Sequence, residues 1–343
     1  MFDGGMKMLS KEFRGEIWTN VDARVIDAIV KANGEPVKGC VGNDEYSVEA
    51  SEIVQSYFKE KIYAAYTING TGANILAMKA MLDRYSSIVC AEETHINVYE
   101  AGAFEYTLGN KIIPVPSPNG KLTPESIENK LFNMQKYKFV PKVIVITQPT
   151  ELGTLYTVDE LTYLCDYAHR NGMYVYIDGA RIGNAIVALN SSLTQMIEET
   201  DADAFSLGGT KAGAMFGEMV IFRRKEFSKH LPYLQKQSFQ HFDKSKFLGV
   251  QFKCLLENDI WLENAKKANE NAKILEKMFL EKGLKAYYPV ESNMVFAPIS
   301  EEQINNITKI FDVHYWNESL KIVRFATTAN SDKTEMEKLI GLI

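Results

Sequence analysis

Residues 174–181 read Tyr-Val-Tyr-Ile-Asp-Gly-Ala-Arg, and this stretch decides the fold class. Its first four residues are aromatic or β-branched, which is typical of a strand buried on both faces of a sheet. The strand ends on an acid, Asp178. A carboxylate at the end of an apolar strand is costly unless it meets a cation or a strong donor. The stretch therefore predicts a buried strand whose terminal acid either caps the next helix or binds a charged partner.

Short apolar runs alternate with helical patterns on both sides of this strand. The segment Thr157–Glu160 has the form of a capping box, and Asn171-Gly172 has the form of a helix C-cap. Strands separated by helices of this length imply crossover connections, and hence a mainly parallel α/β sheet. The other predicted strands are Ser87–Ala91, Lys111–Val115, Lys142–Thr147, Ala204–Leu207 and Met219–Phe222.

The pattern changes after about Ser245, where a long charged helix is predicted over Asn258–Lys282. We therefore divide the chain into a loosely structured amino-terminal arm (1–49), a large α/β domain (50–245) and a long helix with a small α+β domain (246–343). Helices of the small domain are expected to begin at Ser300 and after Ser331. Its predicted strands are Ala286–Tyr288, Asn293–Ala297, Val313–Trp316 and Ile322–Ala326.

The bulk composition excludes several classes of protein. Of the 343 residues 46% are hydrophobic, and the net charge of −6 offers no broad basic surface to nucleic acid or anionic lipid. No apolar run approaches the roughly 18 residues that a membrane span requires, and the first residues lack a signal-peptide core. The four cysteines are far apart, which predicts reduced thiols and no metal site. We expect a soluble, cytoplasmic protein without nucleic-acid or membrane partners.

Lys211 lies in a glycine-rich turn directly after a predicted strand, in Ser206-Leu-Gly-Gly-Thr-Lys-Ala-Gly-Ala214. The glycines allow a tight turn and leave space for a flat ring beside the amine. A lysine that forms an imine must be partly desolvated so that its neutral amine can attack, although the pattern also fits an ordinary surface lysine. Asp178 favours the functional interpretation, because ligands of α/β sheets bind where strands such as these two end. A protonated pyridine nitrogen would be a fitting partner for Asp178.

Three further loops carry candidate residues. Gly70 and Thr71 stand at the start of a helical run, where their amides either bind a phosphate or only form a turn. His95 follows a predicted strand and could stack on a ring, but a lone histidine is more often structural. Glu151 follows another strand and is either a general base or an exposed loop acid.

Two arginines could bind carboxylates. Arg181 emerges from the same strand end as Asp178, and it could grip a substrate carboxylate, hydrogen-bond near a phenolic oxygen of a cofactor, or pair with a neighbouring acid. Arg324 stands within the otherwise apolar run Lys321–Ala326. A buried arginine needs an anion, which a substrate carboxylate would supply, whereas on the open face of an edge strand it would simply be exposed.

Together these motifs resemble the threonine aldolase family, within the fold-type-I enzymes that use pyridoxal 5'-phosphate (PLP) and include the beta-eliminating lyases. The resemblance runs from about Phe13 to the end of the chain. Its most specific segments are Gly70–Asn74, Glu93–His95, Thr150–Thr154, Asp178–Arg181, Gly208–Lys211 and Ile322–Arg324.

The resemblance implies a cofactor role for five of the candidates. Lys211 would hold PLP as a Schiff base, and Asp178 would pair with the pyridine nitrogen. His95 would stack on the ring, while Gly70 and Thr71 would bind the phosphate. The implied fold is a large domain with a mainly parallel central sheet and a small carboxyl-terminal α+β domain.

The resemblance also implies a reaction and an assembly. The substrate would be a β-hydroxy-α-amino acid of the L-threonine or L-allo-threonine type, cleaved to glycine and an aldehyde. Arg181 and Arg324 would hold its carboxylate, and we predict that Lys211, His95 and Glu151 are the catalytic residues. Family members form homodimers or homotetramers, in which Lys246 would reach the phosphate of a neighbouring chain.

Two other readings remain open on this scaffold. A PLP-dependent β-eliminating lyase or aminotransferase would act on a different amino acid, and a PLP-binding protein with little catalysis is also compatible. The chain departs from the family pattern at Gly15-Glu16, where a Ser-Asp pair is usual, and at Val41, where a tyrosine is usual. Many members also carry histidine at the position of Glu151. The first two departures fall where substrate is contacted, so they bear on the substrate more than on the cofactor.

Overall fold

The computed structural model describes residues 9–39, 42–134 and 140–343, so the departure at Val41 lies outside the described residues. The helices are α1 (Ala23–Asn33), α2 (Glu45–Ser56), α3 (Gly70–Met81), α4 (His95–Val98), α5 (Ala103–Leu108), α6 (Pro124–Met134), α7 (Val158–Arg170), α8 (Ile182–Leu189), α9 (Lys225–Ser228), α10 (Leu231–Gln237), α11 (Lys246–Glu257), α12 (Ile260–Glu281), α13 (Glu301–Ile307) and α14 (Lys333–Ile340). The strands are β1 (Tyr63–Thr67), β2 (Ser86–Ala91), β3 (Lys111–Val115), β4 (Val140–Thr147), β5 (Tyr174–Asp178), β6 (Ala204–Gly208), β7 (Glu218–Phe222), β8 (Met294–Pro298), β9 (Tyr315–Asn317) and β10 (Ile322–Ala326).

The large sheet has the strand order β1-β7-β6-β5-β4-β2-β3. Strands β2 to β6 pair in parallel, and β7 is antiparallel to both β6 and β1. Strand β1 therefore points the same way as β2 to β6, and only β7 is reversed. As a result, the loops that follow six of the seven strands leave the sheet at one edge. A mainly parallel sheet was predicted, and the structure confirms it.

Helices cover both faces of this sheet. Strands β2, β6 and β7 are buried along their whole length, as expected for strands between two helical layers. One apolar layer contains side chains of α1, α2, α7, α8, α11 and α12, and the other contains side chains of α3, α5, α9 and α10. The capping box predicted at Thr157 begins α7, and the one predicted at Ser300 begins α13.

A second, antiparallel sheet has the strand order β8-β10-β9 and packs with α12, α13 and α14 around a separate apolar cluster. The division of the chain at residues 49 and 245 stays a prediction. Two elements differ from expectation. Residues 286–288 form no strand, and only Tyr287 joins the sheet, through a 2.7 Å bond from its N–H to the Phe296 carbonyl. Strand β1 was not predicted, because two alanines weaken its β propensity.

The amino-terminal arm is not loosely structured over its described residues, which corrects our expectation for residues 1–49. Helices α1 and α2 occupy much of it. Phe13 is fully buried, and its ring centroid lies 5.3 Å from that of Phe311 and 6.3 Å from that of Phe325. The carbonyl of Phe13 also accepts a hydrogen bond from the Ala326 N–H. The arm is thus fastened to the small sheet.

In the part of the chain described, no helix is long and apolar enough to cross a membrane.

We predict that Phe13→Ala lowers the free energy of unfolding by about 3 to 5 kcal/mol, because a buried aromatic side chain leaves a cavity when truncated. Urea denaturation followed by circular dichroism would measure it. Tyr106, which is 94% exposed, provides the matched control. Tyr106→Ala is expected to change stability by about 0.5 kcal/mol or less. Equal effects of the two substitutions would show that Phe13 does not anchor the arm.

Candidate active site

The loops after β5 and β6 bring Asp178 and Lys211 to one place. These two loops pass so close that glycine is required in each. A Cβ added at Gly179 would lie 2.1 Å from the Ser206 carbonyl oxygen, and one added at Gly208 would lie 2.2 Å from the Ala180 carbonyl oxygen. Asp178 and Lys211 therefore lie close together at the carboxyl edge of the sheet.

Lys211 is a half-buried amine without a fixed partner. Its Nζ makes no hydrogen bond or ion pair with any other described residue. Burial lowers the pKa of Lys211, and the positive charge of Arg181 lowers it further, while Glu16, Glu151 and Asp178 act in the opposite direction. These effects favour the neutral amine, which is the nucleophilic form.

Asp178 ends β5 and is buried, with 5% of its surface exposed. Its Oδ2 accepts a 3.1 Å hydrogen bond from Asn74 Nδ2. Its Oδ1 accepts a 3.0 Å bond from the backbone N–H of Ala180 and faces Ser206 Oγ at 3.4 Å. Each of these donors is uncharged. The carboxylate thus accepts hydrogen bonds from neutral groups but forms no ion pair with the described residues. Such an acid suits a cationic ligand.

His95 begins α4 and keeps about a third of its side chain exposed. Its Nδ1 lies 2.9 Å from Oε1 of Glu100, whose side chain is fully buried. Burial lowers the pKa of His95, because it disfavours the protonated ring. The hydrogen bond to Glu100 and the nearby charges of Glu151 and Asp178 outweigh it, so the pKa of His95 is raised.

Arg181 pairs with an acid, one of the three partners that the sequence left open. Its Nε and Nη2 donate to the two carboxylate oxygens of Glu16, at 2.5 and 3.0 Å. Asn293 Nδ2 also donates to Glu16, at 2.7 Å. Burial would raise the pKa of Glu16, but the Arg181 guanidinium outweighs it and holds that pKa well below its usual range. Glu16 is the residue that replaces the usual aspartate, and it joins the arm, the large sheet and the small sheet.

Arg324 is a half-buried cation on β10, and it has no carboxylate partner among the described residues. Its guanidinium lies 4.9 Å from the centre of the Trp316 ring. Burial lowers the pKa of Arg324, and the like charge of Arg181 adds to this effect. The negative charge of an incoming carboxylate would offset both effects.

Glu151 is buried, with 6% of its surface exposed, and it is not the exposed loop acid of the alternative reading. The next residue, Leu152, packs into an apolar cluster with Met294 and Phe296 of β8. The loop that carries Glu151 is therefore held against the small sheet. The negative charge of Glu151 raises the pKa of Arg324.

Gly70 and Thr71 form the first turn of α3, and the side chain of its N-cap residue, Asn69, accepts the Gly72 N–H at 2.8 Å. An added Cβ at Gly70 would meet no atom within 4 Å, whereas one added at Gly72 would lie 2.4 Å from the Gln240 side chain, so the space at the start of the helix lies beside Gly70. Lys246 lies elsewhere in this chain. Its Nζ donates to the carbonyls of Ala32 and Glu35 at the end of α1. A role of Lys246 toward a neighbouring chain stays a prediction.

The sequence did not predict the roles of four site residues, namely Glu16, Asn74, Glu100 and Glu218. Glu16 was noted only as a departure from the family pattern. Asn74 was quoted within a motif but given no role. Glu100 follows His95 by five positions, and no spacing rule marks it. Glu218 begins β7 beside Lys211, and its Oε2 accepts the Gly209 N–H at 3.1 Å. Burial raises the pKa of Glu218 to about 8.

Comparisons with known proteins agree with the fold. The family model described as beta-eliminating lyase matches residues 23–302. A low-specificity L-threonine aldolase from Pseudomonas aeruginosa is 31% identical over 298 residues, which cover 86% of each chain. The solved structure of a threonine aldolase from Leishmania major superimposes with a TM-score of 0.88 at 25% identity, over 96% of this chain and 97% of that one. A mutant aspartate aminotransferase from Thermus thermophilus shares the fold, with a TM-score of 0.74 at 17% identity, over 98% of this chain and 96% of that one.

We predict that Glu16→Gln lowers the free energy of unfolding by about 3 to 5 kcal/mol at pH 7, because Arg181 is left buried without its counter-charge. The folded-state pKa of Glu16 is depressed. The contribution of the carboxylate is therefore fully present above its unfolded pKa of about 4.3 and is lost as the pH falls toward the folded pKa.

Denaturant unfolding of the two proteins between pH 3 and pH 8 would measure this difference. The difference in unfolding free energy between them should narrow toward the acid end. Glu263→Gln removes exposed ion pairs with Arg24 and Lys267 and should have a much smaller effect. A gap that stays constant with pH would contradict the assignment.

Proposed function

This chain belongs to the beta-eliminating lyase family, and we propose that it is a PLP-dependent carbon–carbon lyase. Its reaction is the cleavage of β-hydroxy-α-amino acids of the L-threonine and L-allo-threonine type to glycine and an aldehyde. The observation that carries the proposal is a lysine without a fixed partner beside a buried acid that lacks an ion pair, at one edge of an α/β sheet. The similarity to the L-threonine aldolase of Pseudomonas aeruginosa supports the choice of substrate.

The residues of the site fit PLP. Asp178 is a buried acceptor that needs a cationic donor, and a pyridinium N–H is such a donor. The amides of Gly70 and Thr71 stand at the positive end of a twelve-residue helix with open space around Gly70, which suits a phosphate. The lowered pKa of Lys211 suits imine formation with an aldehyde. When bound, PLP draws electrons away from the substrate Cα.

The remaining residues bind and orient the substrate. Arg324 holds the carboxylate, because it is the half-buried guanidinium without an anion in the described part of the chain. Arg181, already neutralised by Glu16, donates its remaining N–H groups to the carboxylate or to the phenolic oxygen of the cofactor. Holding the carboxylate selects which bond at Cα is broken. His95 and Glu151 are our candidates for the group that accepts the proton of the β-hydroxyl.

We further propose that the enzyme works in the cytoplasm as a homodimer or homotetramer. The buried free thiols of Cys90 and Cys165 support a reducing compartment. In the assembly, Lys246 would reach the cofactor phosphate of a neighbouring chain. Light scattering of the purified protein would measure the number of subunits.

We predict that the PLP-loaded protein forms glycine and acetaldehyde from L-threonine and L-allo-threonine, and that Lys211→Ala abolishes both. Chromatography of the products and the visible absorbance of the bound cofactor would measure these outcomes. Lys229→Ala, at an exposed position, is the control and should leave both unchanged. Ammonia with a keto acid would instead indicate elimination or transamination. A protein that takes up no PLP would refute the proposal.

We also predict that Arg324→Gln raises the KM for L-threonine about 10-fold or more, because hydrogen bonds to a charged group contribute about 1.5 to 3 kcal/mol. Initial-rate kinetics with PLP in excess would measure it. Arg84→Gln removes an exposed guanidinium and should not change KM. An unchanged KM in Arg324→Gln would place the carboxylate site elsewhere.

A further inference from the structure

Glu100 is a fully buried acid in contact with the site. It lies between α4 and α5, and its Oε1 accepts a 2.7 Å hydrogen bond from Asn74 Nδ2 while facing His95 Nδ1 at 2.9 Å. Its Oε2 is buried and has no hydrogen-bond partner among the described residues. A buried carboxylate with an unsatisfied oxygen destabilises a fold. Stability alone therefore gives no reason for an acid at this position.

Asn74 connects Glu100 to the acid at the end of β5. Its Nδ2 donates both to Glu100 and to Oδ2 of Asp178, and its Oδ1 accepts a 3.0 Å hydrogen bond from the Tyr176 hydroxyl. The tyrosine fixes the direction of the amide, so its two N–H bonds point at the two carboxylates. Asp178, Asn74, Glu100 and His95 thus form one continuous hydrogen-bonded chain.

This chain determines where His95 carries its proton. An ionised carboxylate only accepts hydrogen bonds. The ring nitrogen that faces Glu100 must therefore carry a hydrogen, and that nitrogen is Nδ1. In the neutral ring the other nitrogen, Nε2, is then the proton acceptor.

We propose that Glu100 is a positioning residue, which fixes His95 with its proton on Nδ1 and so makes Nε2 the atom that accepts a proton in the reaction. The last clause rests on the proposed function, whereas the position of the proton does not. Loss of the Glu100 charge would also make His95 harder to protonate. Among the described residues, the other titratable groups that act on or contact the ring are Glu151, Asp178 and Tyr99.

The first test uses the full-length wild-type chain. Histidine is labelled with 15N, and the five histidines are resolved by long-range proton–nitrogen spectra, with His95→Gln identifying its own signals. Above its titration midpoint, His95 should show nitrogen shifts of the tautomer with the proton on Nδ1, with and without PLP. The opposite tautomer would overturn the proposal, and this measurement needs no variant at Glu100.

The second test compares Glu100→Gln with Glu105→Gln, which removes an exposed acid from the neighbouring helix. The titration midpoint of His95 should fall by about one pH unit or more in Glu100→Gln, because an opposite charge within hydrogen-bond distance is lost. It should not move in Glu105→Gln. An unchanged midpoint in a folded Glu100→Gln protein would overturn the proposal.

The kinetic consequence is measured separately. In Glu100→Gln the acid limb of the pH dependence of kcat/KM should move to lower pH together with the His95 midpoint. A loss of activity at all pH values without that shift would show that Glu100 is only structural. If wild-type protein forms no glycine from threonine, the proposed function fails, and the titrations still decide the role of Glu100.

Discussion

The ion pair between Glu16 and Arg181 is the contact on which the arrangement of the site depends. A buried guanidinium is tolerated only with its counter-charge beside it, and here that charge comes from the amino-terminal arm, 165 positions earlier in the chain. Asn293 of the small domain joins the same carboxylate. The pair thus connects three parts of the chain at one point. It also gives Arg181 a counter-charge, whereas Arg324 has no carboxylate partner among the described residues.

The architecture followed from the sequence because strands buried on both faces are continuous apolar runs. Strands β2 to β7 were all predicted, with ends that differ by at most two residues from those observed. Strand β1 was missed, because its burial comes from pairing with β7 and not from its own alanines. The arm was misjudged for a related reason. The core position of Phe13 depends on Phe311 and Phe325, which lie about 300 residues away and give no local signal.

The residues of the site were likewise predictable only in part. Asp178 and Lys211 were predictable, since both follow strands and the ends of parallel strands meet. The partner of Arg181 was not, because three kinds of partner satisfy an arginine and only the folded chain brings Glu16 to it. Asn74 donates hydrogen bonds to Glu100 and Asp178, which lie 26 and 104 positions away from it. Their importance lies in hydrogen bonds that pattern and spacing do not encode.

The packing of Leu152 against the small sheet has a consequence for the position of Glu151. Leu152 is embedded among Met294 and Phe296 of β8. On the other side of Glu151, the Gln148 N–H donates to the Asp178 carbonyl at the end of β5. The short segment that carries Glu151 is therefore tied to both sheets. Any shift of one sheet relative to the other would displace or strain this acid.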